Sequence, residues 1–199
     1  MSPSQPPLVL ASTSPYRREL LARLGLPFTA VAPRVDETRQ PAETPTALVS
    51  RLAVAKAQAV AVAHPDALII GSDQVAVLDD LVLGKPGNRA TAVGQLERAA
   101  GRCVLFQTGL CLLDARSGQV QTVVEPFRVH FRPLTRPQID AYLDREQPFD
   151  CAGSFKSEGL GIALFARLEG DDPNALIGLP LIRLIALLEA AGISPLGSA

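Results

Sequence analysis

Leu8-Val-Leu-Ala-Ser-Thr-Ser-Pro-Tyr-Arg-Arg-Glu-Leu-Leu-Ala-Arg-Leu-Gly25 changes its hydrophobic period at Ser12. Residues 8–11 are a short unbroken apolar run that suits a strand buried on both faces, and residues 17–24 have helical spacing that stops before Gly25. A strand that turns directly into a helix is the opening unit of an α/β protein. Ser14 is placed to cap that helix, and Pro15 suits the first helical position, where its missing N–H would have no partner in any case. The same turn leaves backbone N–H groups free beside the hydroxyls of Ser12 and Ser14 and the guanidinium groups of Arg17 and Arg18, so it can also grip an anion. Capping accounts for Ser14 and Pro15 without requiring the two arginines.

Downstream the alternation of strand and helix continues. Residues 28–32 read as a second strand, 33–45 as a polar loop, and 46–63 as a long Ala/Val-rich helix with Lys56 near its middle. Residues 66–71 predict a buried strand that runs out into Ser72-Asp-Gln74, and 76–84 a hairpin turning at Asp79-Asp80. Helices are expected over 88–100, 135–145 and 180–191. Residues 104–113 and 120–131 flank a Ser117-Gly118 turn signal and predict two long antiparallel strands. The expected fold class is α/β, with a mixed, twisted sheet and flanking helices.

Composition narrows the function classes. The chain has 199 residues, 47% hydrophobic and 20% charged, with a net charge of -1, which excludes disorder, collagen and coiled coil. Basic and acidic residues are balanced in both halves, and the few aromatics are not interleaved with basic ones, so neither a polyanion-binding surface nor an RNA-recognition sheet is expected. Cys103, Cys111 and Cys151 form no CxxC pair and read as buried thiols of a reducing compartment. The start of the chain has no basic segment followed by a long apolar one, and no run of about 18 apolar residues occurs, so the expected address is cytoplasmic without a membrane span. His64 and His130 have no cysteine or carboxylate at ligand spacing and read as structural, and there is no GxGxxG or Walker A loop.

Only three of the 19 basic residues are lysine, Lys56, Lys85 and Lys156. In a chain so biased toward arginine, the three lysines are either chance survivors or mark places where a compact ammonium on a thin stem is needed, as in phosphate binding by a point charge. Asp73 follows an apolar strand, where carboxylates at strand ends face the ligand crevice of α/β sheets; it suits a general base, a metal ligand or a loop cap. Asp36-Glu37 supplies a second acidic site, either a solvated loop or a partner for a hard cation such as Mg²⁺. Gly84-Lys-Pro-Gly87 is a turn that carries a lysine.

Taken in order, the segments at 10–21, Val35-Asp-Glu37, Lys56-Ala57, Gly71-Ser-Asp-Gln74 and Gly84-Lys-Pro86 resemble the Maf-like nucleotide pyrophosphatases. Glu125-Pro-Phe, the stretch 151–159 and Leu168-Glu-Gly-Asp-Asp-Pro-Asn174 resemble the branch of that family that acts on 7-methyl-GTP. The resemblance implies an inosine-triphosphatase-like fold: a flexible tail at 1–7, then one domain over 8–196 with two lobes around a cleft. It implies hydrolysis of a nucleoside triphosphate to monophosphate and diphosphate with a divalent metal, Mg or Mn, and makes a homodimer plausible. Asp73 matches the proton acceptor, and Ser12, Arg17, Glu37, Lys56 and Lys85 match positions expected to hold phosphates and metal; the reading of the residues themselves adds Ser14 to the phosphate binders and Asp73 to the metal ligands beside Glu37. Tyr16, Gln74 and Glu158 match the positions that sort substrates, with Tyr16 standing where the branch often has Trp. The family also implies two alternatives, preference for dTTP and UTP, or nucleotide binding in the control of septum formation.

Overall fold

The computed structural model of the chain describes residues 5–197. The opening segment folds as strand β1 (Leu8–Ala11), a turn, and helix α1 (Pro15–Ala22), with the Ser14 hydroxyl accepting from the Arg17 N–H at 3.4 Å. The helix ends at Ala22, short of the expected Leu24, and the chain reverses through Gly25 at φ 67°.

Strand β2 (Phe28–Val31) pairs parallel with β1, which pairs parallel with β3 (Leu68–Leu78) on its other side. Strand β4 (Leu81–Leu83) folds back on the end of β3. Strands β5 (Cys103–Asp114), β6 (Gln119–Phe131) and β7 (Phe165–Glu169) extend the sheet by antiparallel pairing, in the order β2-β1-β3-β5-β6-β7. The sheet is mixed and helix-flanked, as its sequence predicts.

One expectation about β3 is corrected. Ser72, Asp73 and Gln74 do not leave the strand; they lie within it. Beta1 ends at Ala11 opposite Gly71, but β5 goes on supplying ladder partners, with Asp73 opposite Gly109 and Val77 opposite Leu105. Asp73 still faces a crevice, because the parallel neighbour stops two residues before it. The short β7 and the five-residue helix α5 (Pro173–Ile177) were not expected. Both are too short for a clear period, and β7 is an edge strand that buries little.

Helices cover both faces. Alpha2 (Pro45–Ala61) lies across β1, β3 and β5, burying Ala53, Ala57 and Val60 against Val9, Ile69 and Cys111. On the opposite face, α1 and α6 (Leu181–Ala190) pack Leu21 and Leu184 onto Leu10, Ile70 and Leu112. Further along that face, α3 (Arg89–Ala99) and α4 (Arg136–Glu146) close a second core around Phe106, Phe131 and Phe155. Edge-to-face aromatic pairs stiffen it, with the Phe155 and Phe165 centroids 4.8 Å apart.

Two glycines set the depth of α2. A Cβ on Gly71 would lie 2.0 Å from the Ala53 carbonyl oxygen, and one on Gly109 2.2 Å from that of Val49. These positions let a helix backbone rest directly on a sheet backbone.

Two smaller readings also change. Only Cys111 is buried; Cys103 is exposed and Cys151 half-buried. His130 does have neighbours, because cross-strand pairing brings Glu169 to 3.2 Å and Cys103 to 3.9 Å of its ring nitrogen. Even so, no three-residue metal cluster forms among the described residues. None of the described helices is long and apolar enough to cross a membrane.

Candidate functional site

A cleft of about 600 Å³ opens where β1 and β2 end, a size suited to a nucleotide. It brings together Ser12, Ser14, Tyr16, Arg17, Glu37, Lys56, Asp73, Gln74, Lys85 and Glu158, residues drawn from six separate segments.

The floor is the most ordered part. Alternation along β3 sends Ile69, Gly71 and Asp73 toward α2, and the close contact at Gly71 lets Lys56, one turn beyond Ala53, reach down to the strand. Its Nζ donates to Asp73 Oδ1 at 2.6 Å and lies 2.7 Å from Glu37 Oε1. Lys56 and Asp73 are both buried, so each needs the other's charge. Burial works against charge on Glu37, but the Lys56, Lys85 and Arg17 cations outweigh it and hold its carboxyl below its ordinary range.

The opposite face of β3 does different work. Ser72 Oγ donates to the Gly178 carbonyl at 2.9 Å, and Arg17 Nε donates to the same oxygen at 2.8 Å. This leaves the rest of the Arg17 guanidinium toward the cleft. Burial lowers the Arg17 pKa, while the Asp73 and Glu37 carboxylates raise it. Gln74 Nε2 donates to the Ala175 and Leu176 carbonyls at 2.7 and 3.1 Å, and Thr108 Oγ1 donates to Ala175 at 2.8 Å. The Gln74 amide hydrogens are thus committed to α5, and an oxygen acceptor is what this side chain has left to offer. Ser12 is buried and accepts from the Ser14 N–H at 3.1 Å, so the anion turn is tightened from within. Arg18 does not line the cleft.

The other end of the cleft is built by Tyr16 and by residues 150–158. Burial, the neighbouring Cys151 thiol and the Asp150 and Glu158 charges push the Tyr16 phenol up to about 12, so it stays neutral. Lys156 turns toward the Glu146 carbonyl, with Nζ at 3.4 Å, and is not ion-paired with Glu158. Ser157 Oγ donates to Glu158 Oε2 at 3.2 Å.

Sequence reasoning missed Gln95. From α3 its Nε2 donates to the Gly84 carbonyl at 3.1 Å, and its Oε1 accepts from Ser154 Oγ at 2.5 Å. One side chain therefore ties the turn carrying Lys85 to the segment carrying Glu158. A polar residue at an inward helical position was the available signal; its two partners are separated from it by the fold.

The loop that carries Glu37 is held by Arg51 of α2. Arg51 Nε meets Glu43 Oε1 at 2.6 Å, and its Nη2 donates to the Thr38 carbonyl at 3.1 Å. Hydrogen bonding to Arg51 brings the Glu43 pKa down from 4.5 to about 2. A depressed carboxylate pKa stabilises the fold above the unfolded value, and the effect is lost as pH falls through the folded one. The melting-temperature difference between wild type and Glu43→Gln is therefore expected to be constant above pH 4.5 and to vanish toward about pH 2. Thermal melts across that range check it; a difference unchanged at the acid end overturns it.

The donor set suits a hard divalent cation. Glu37 and Asp73 offer two carboxylates joined through one ammonium, with the cleft open beside them for phosphate oxygens and water.

A family model described as Maf-like protein matches residues 7–191. The 7-methyl-GTP pyrophosphatase of Nitrosococcus oceani is 63% identical over 191 residues, covering 96% of each chain. The 7-methyl-GTP pyrophosphatase of Colwellia psychrerythraea is 57% identical over 95% of this chain and 94% of its own. That of Alcanivorax borkumensis is 58% identical over 97% of this chain and 98% of its own.

Proposed function

The chain belongs to the Maf-like protein family, and we propose that it hydrolyses 7-methyl-GTP to 7-methyl-GMP and diphosphate. One observation carries this reading beyond the names of its relatives: the cleft is electrically divided. Arg17, Lys56 and Lys85 gather around Glu37 and Asp73, while the Tyr16 phenol lies near Cys151 and the carboxylates of Asp150 and Glu158. A substrate with a polyanionic tail and a cationic base matches both ends.

Water attacks the α-phosphorus, a new P–O bond forms, and the bond to the bridging oxygen breaks to release diphosphate. Asp73 takes the water's proton; its position beside Lys56 keeps a charged carboxylate in a buried place. Arg17, Lys56 and Lys85 stabilise the charge that gathers on the leaving diphosphate. Ser12 and Ser14 hold the turn at the start of α1 so that its N–H groups face the phosphates. Glu37 and Asp73 would hold a divalent cation, which supplies further charge stabilisation when bound.

At the other end, the 7-methylguanine ring carries a fixed positive charge. The neutral, electron-rich face of Tyr16 attracts it by a cation–π contact, and Glu158 by charge. A neutral pyrimidine gains neither. Gln74 acts through α5, with its oxygen as the group available to the substrate.

Diphosphate release from 7-methyl-GTP, GTP and UTP, measured side by side with Mg²⁺, tests the reading. The wild type is expected to prefer 7-methyl-GTP, and Glu158→Gln to lose about tenfold of that preference, as befits one charge-assisted contact. A wild-type preference for UTP overturns the roles of Tyr16 and Glu158 while leaving the reaction intact.

A further inference from the structure

We propose that Asp150 is a second base-reading carboxylate, which together with Glu158 makes this end of the cleft selective for nucleotides whose base carries a fixed positive charge. The inference rests on the proposed function and concerns the same site.

Asp150 lines the cleft beside Tyr16 and Glu158, at the start of the segment that forms this wall. Its carboxylate accepts from the Cys151 thiol at 3.4 Å. Its charge is felt at the Tyr16 ring, where it helps to keep the phenol protonated.

Arginines pair with carboxylates across the surface, as Arg89 does with Asp140 and Asp144 and Arg116 with Asp114. Among the described residues, neither Asp150 nor Glu158 has a basic group within 4.0 Å. Lys156, two residues from Glu158, is directed to the Glu146 carbonyl. A cation that enters this end of the cleft is attracted by both carboxylates.

The wall is also held in shape before any ligand arrives. Leu160 N–H donates to Glu146 Oε2 at 2.9 Å, and Gly159 sits so close that a Cβ there would lie 2.9 Å from that carboxylate. Ser154 is fixed to Gln95 from within. Preorganised charge of this kind favours a cationic ligand without the cost of ordering a loop.

Chemistry separates charge reading from edge reading. Guanine and 7-methylguanine share the N1–H and 2-amino donors, so a carboxylate that reads only this edge favours both alike. A carboxylate that reads charge favours only the methylated base. One such carboxylate would suffice for modest selectivity, and a pair doubles the field on the ring.

The experiment measures kcat/KM for 7-methyl-GTP and GTP, and for 7-methyl-ITP and ITP, which lack the 2-amino group. Wild type, Asp150→Asn, Glu158→Gln and the double variant are compared at low and high salt. Asp150→Asn is expected to lower both methylated-to-unmethylated ratios by about five- to tenfold, with the loss smaller in high salt. The double variant is expected to lower them further. A ratio within about twofold of wild type, or equal losses on methylated and unmethylated substrates, overturns the assignment of Asp150 alone. A wild type without any preference for the methylated nucleotides overturns the proposed substrate and this assignment together. Asp150 is exposed, so the Asn variant is expected to fold.

Discussion

Asp73→Asn is expected to lower kcat for diphosphate release by about 10²- to 10⁴-fold, the range that a general base contributes. The change keeps the shape of the side chain but removes its charge, and with it both its capacity to take a proton and its share in holding a divalent cation. The Asn oxygen can still accept from Lys56 Nζ, now 2.6 Å from Asp73 Oδ1, and Glu37 remains at 2.7 Å to balance the ammonium. The cleft therefore keeps its form, and nucleotide binding is expected to persist. Titration calorimetry with a nucleotide and turnover assays on the same preparation separate the two effects. Retained binding with lost turnover supports a catalytic task for Asp73 over a purely structural one. An unchanged kcat sinks that role, and a wild type that binds nucleotide but releases no diphosphate points to the regulatory alternative.

How much of this site the sequence made legible depends on whether a residue's task is local. Ser14 and Pro15 were readable because capping involves residues three apart along one helix. Lys56, Lys85 and Asp73 stood out through residue type against an arginine-rich background. What the sequence did not carry is which face of β3 each group takes. Period-2 alternation sends Asp73 toward α2 and Gln74 toward α5, yet seeing this requires knowing that the strand continues beyond Gly71. That continuation depends on β5, some forty residues away, whose ladder outlasts β1.

The partners of Gln95 and Arg51 were likewise hidden. Each acts on groups from other segments: Gln95 on Gly84 and Ser154, Arg51 on Thr38 and Glu43. No spacing rule links such residues. They are visible only once the helices are docked.

Gly71→Ala is expected to destabilise the protein by about 3 kcal/mol or more, because the added carbon meets backbone instead of a side chain that can rotate away. The new Cβ would lie 2.0 Å from the Ala53 oxygen and 3.1 Å from both the Ala53 carbon and the Ala57 nitrogen. Only a shift of α2 as a body relieves this. For a chain of this length, such a loss lowers the midpoint temperature by roughly 6–12 °C. The same shift would lift Lys56 from Asp73, since Lys56 lies on the helix turn that rests on Gly71. Activity is therefore expected to fall in the fraction that remains folded. Gly94→Ala adds the same atom within α3, where nothing lies within 4 Å and the backbone is helical. There the substitution is expected to be neutral or to stabilise by up to about 1 kcal/mol. Thermal unfolding of the two variants checks the argument: equal effects would mean that the closeness of α2 to the sheet does not hold the floor of the cleft in place.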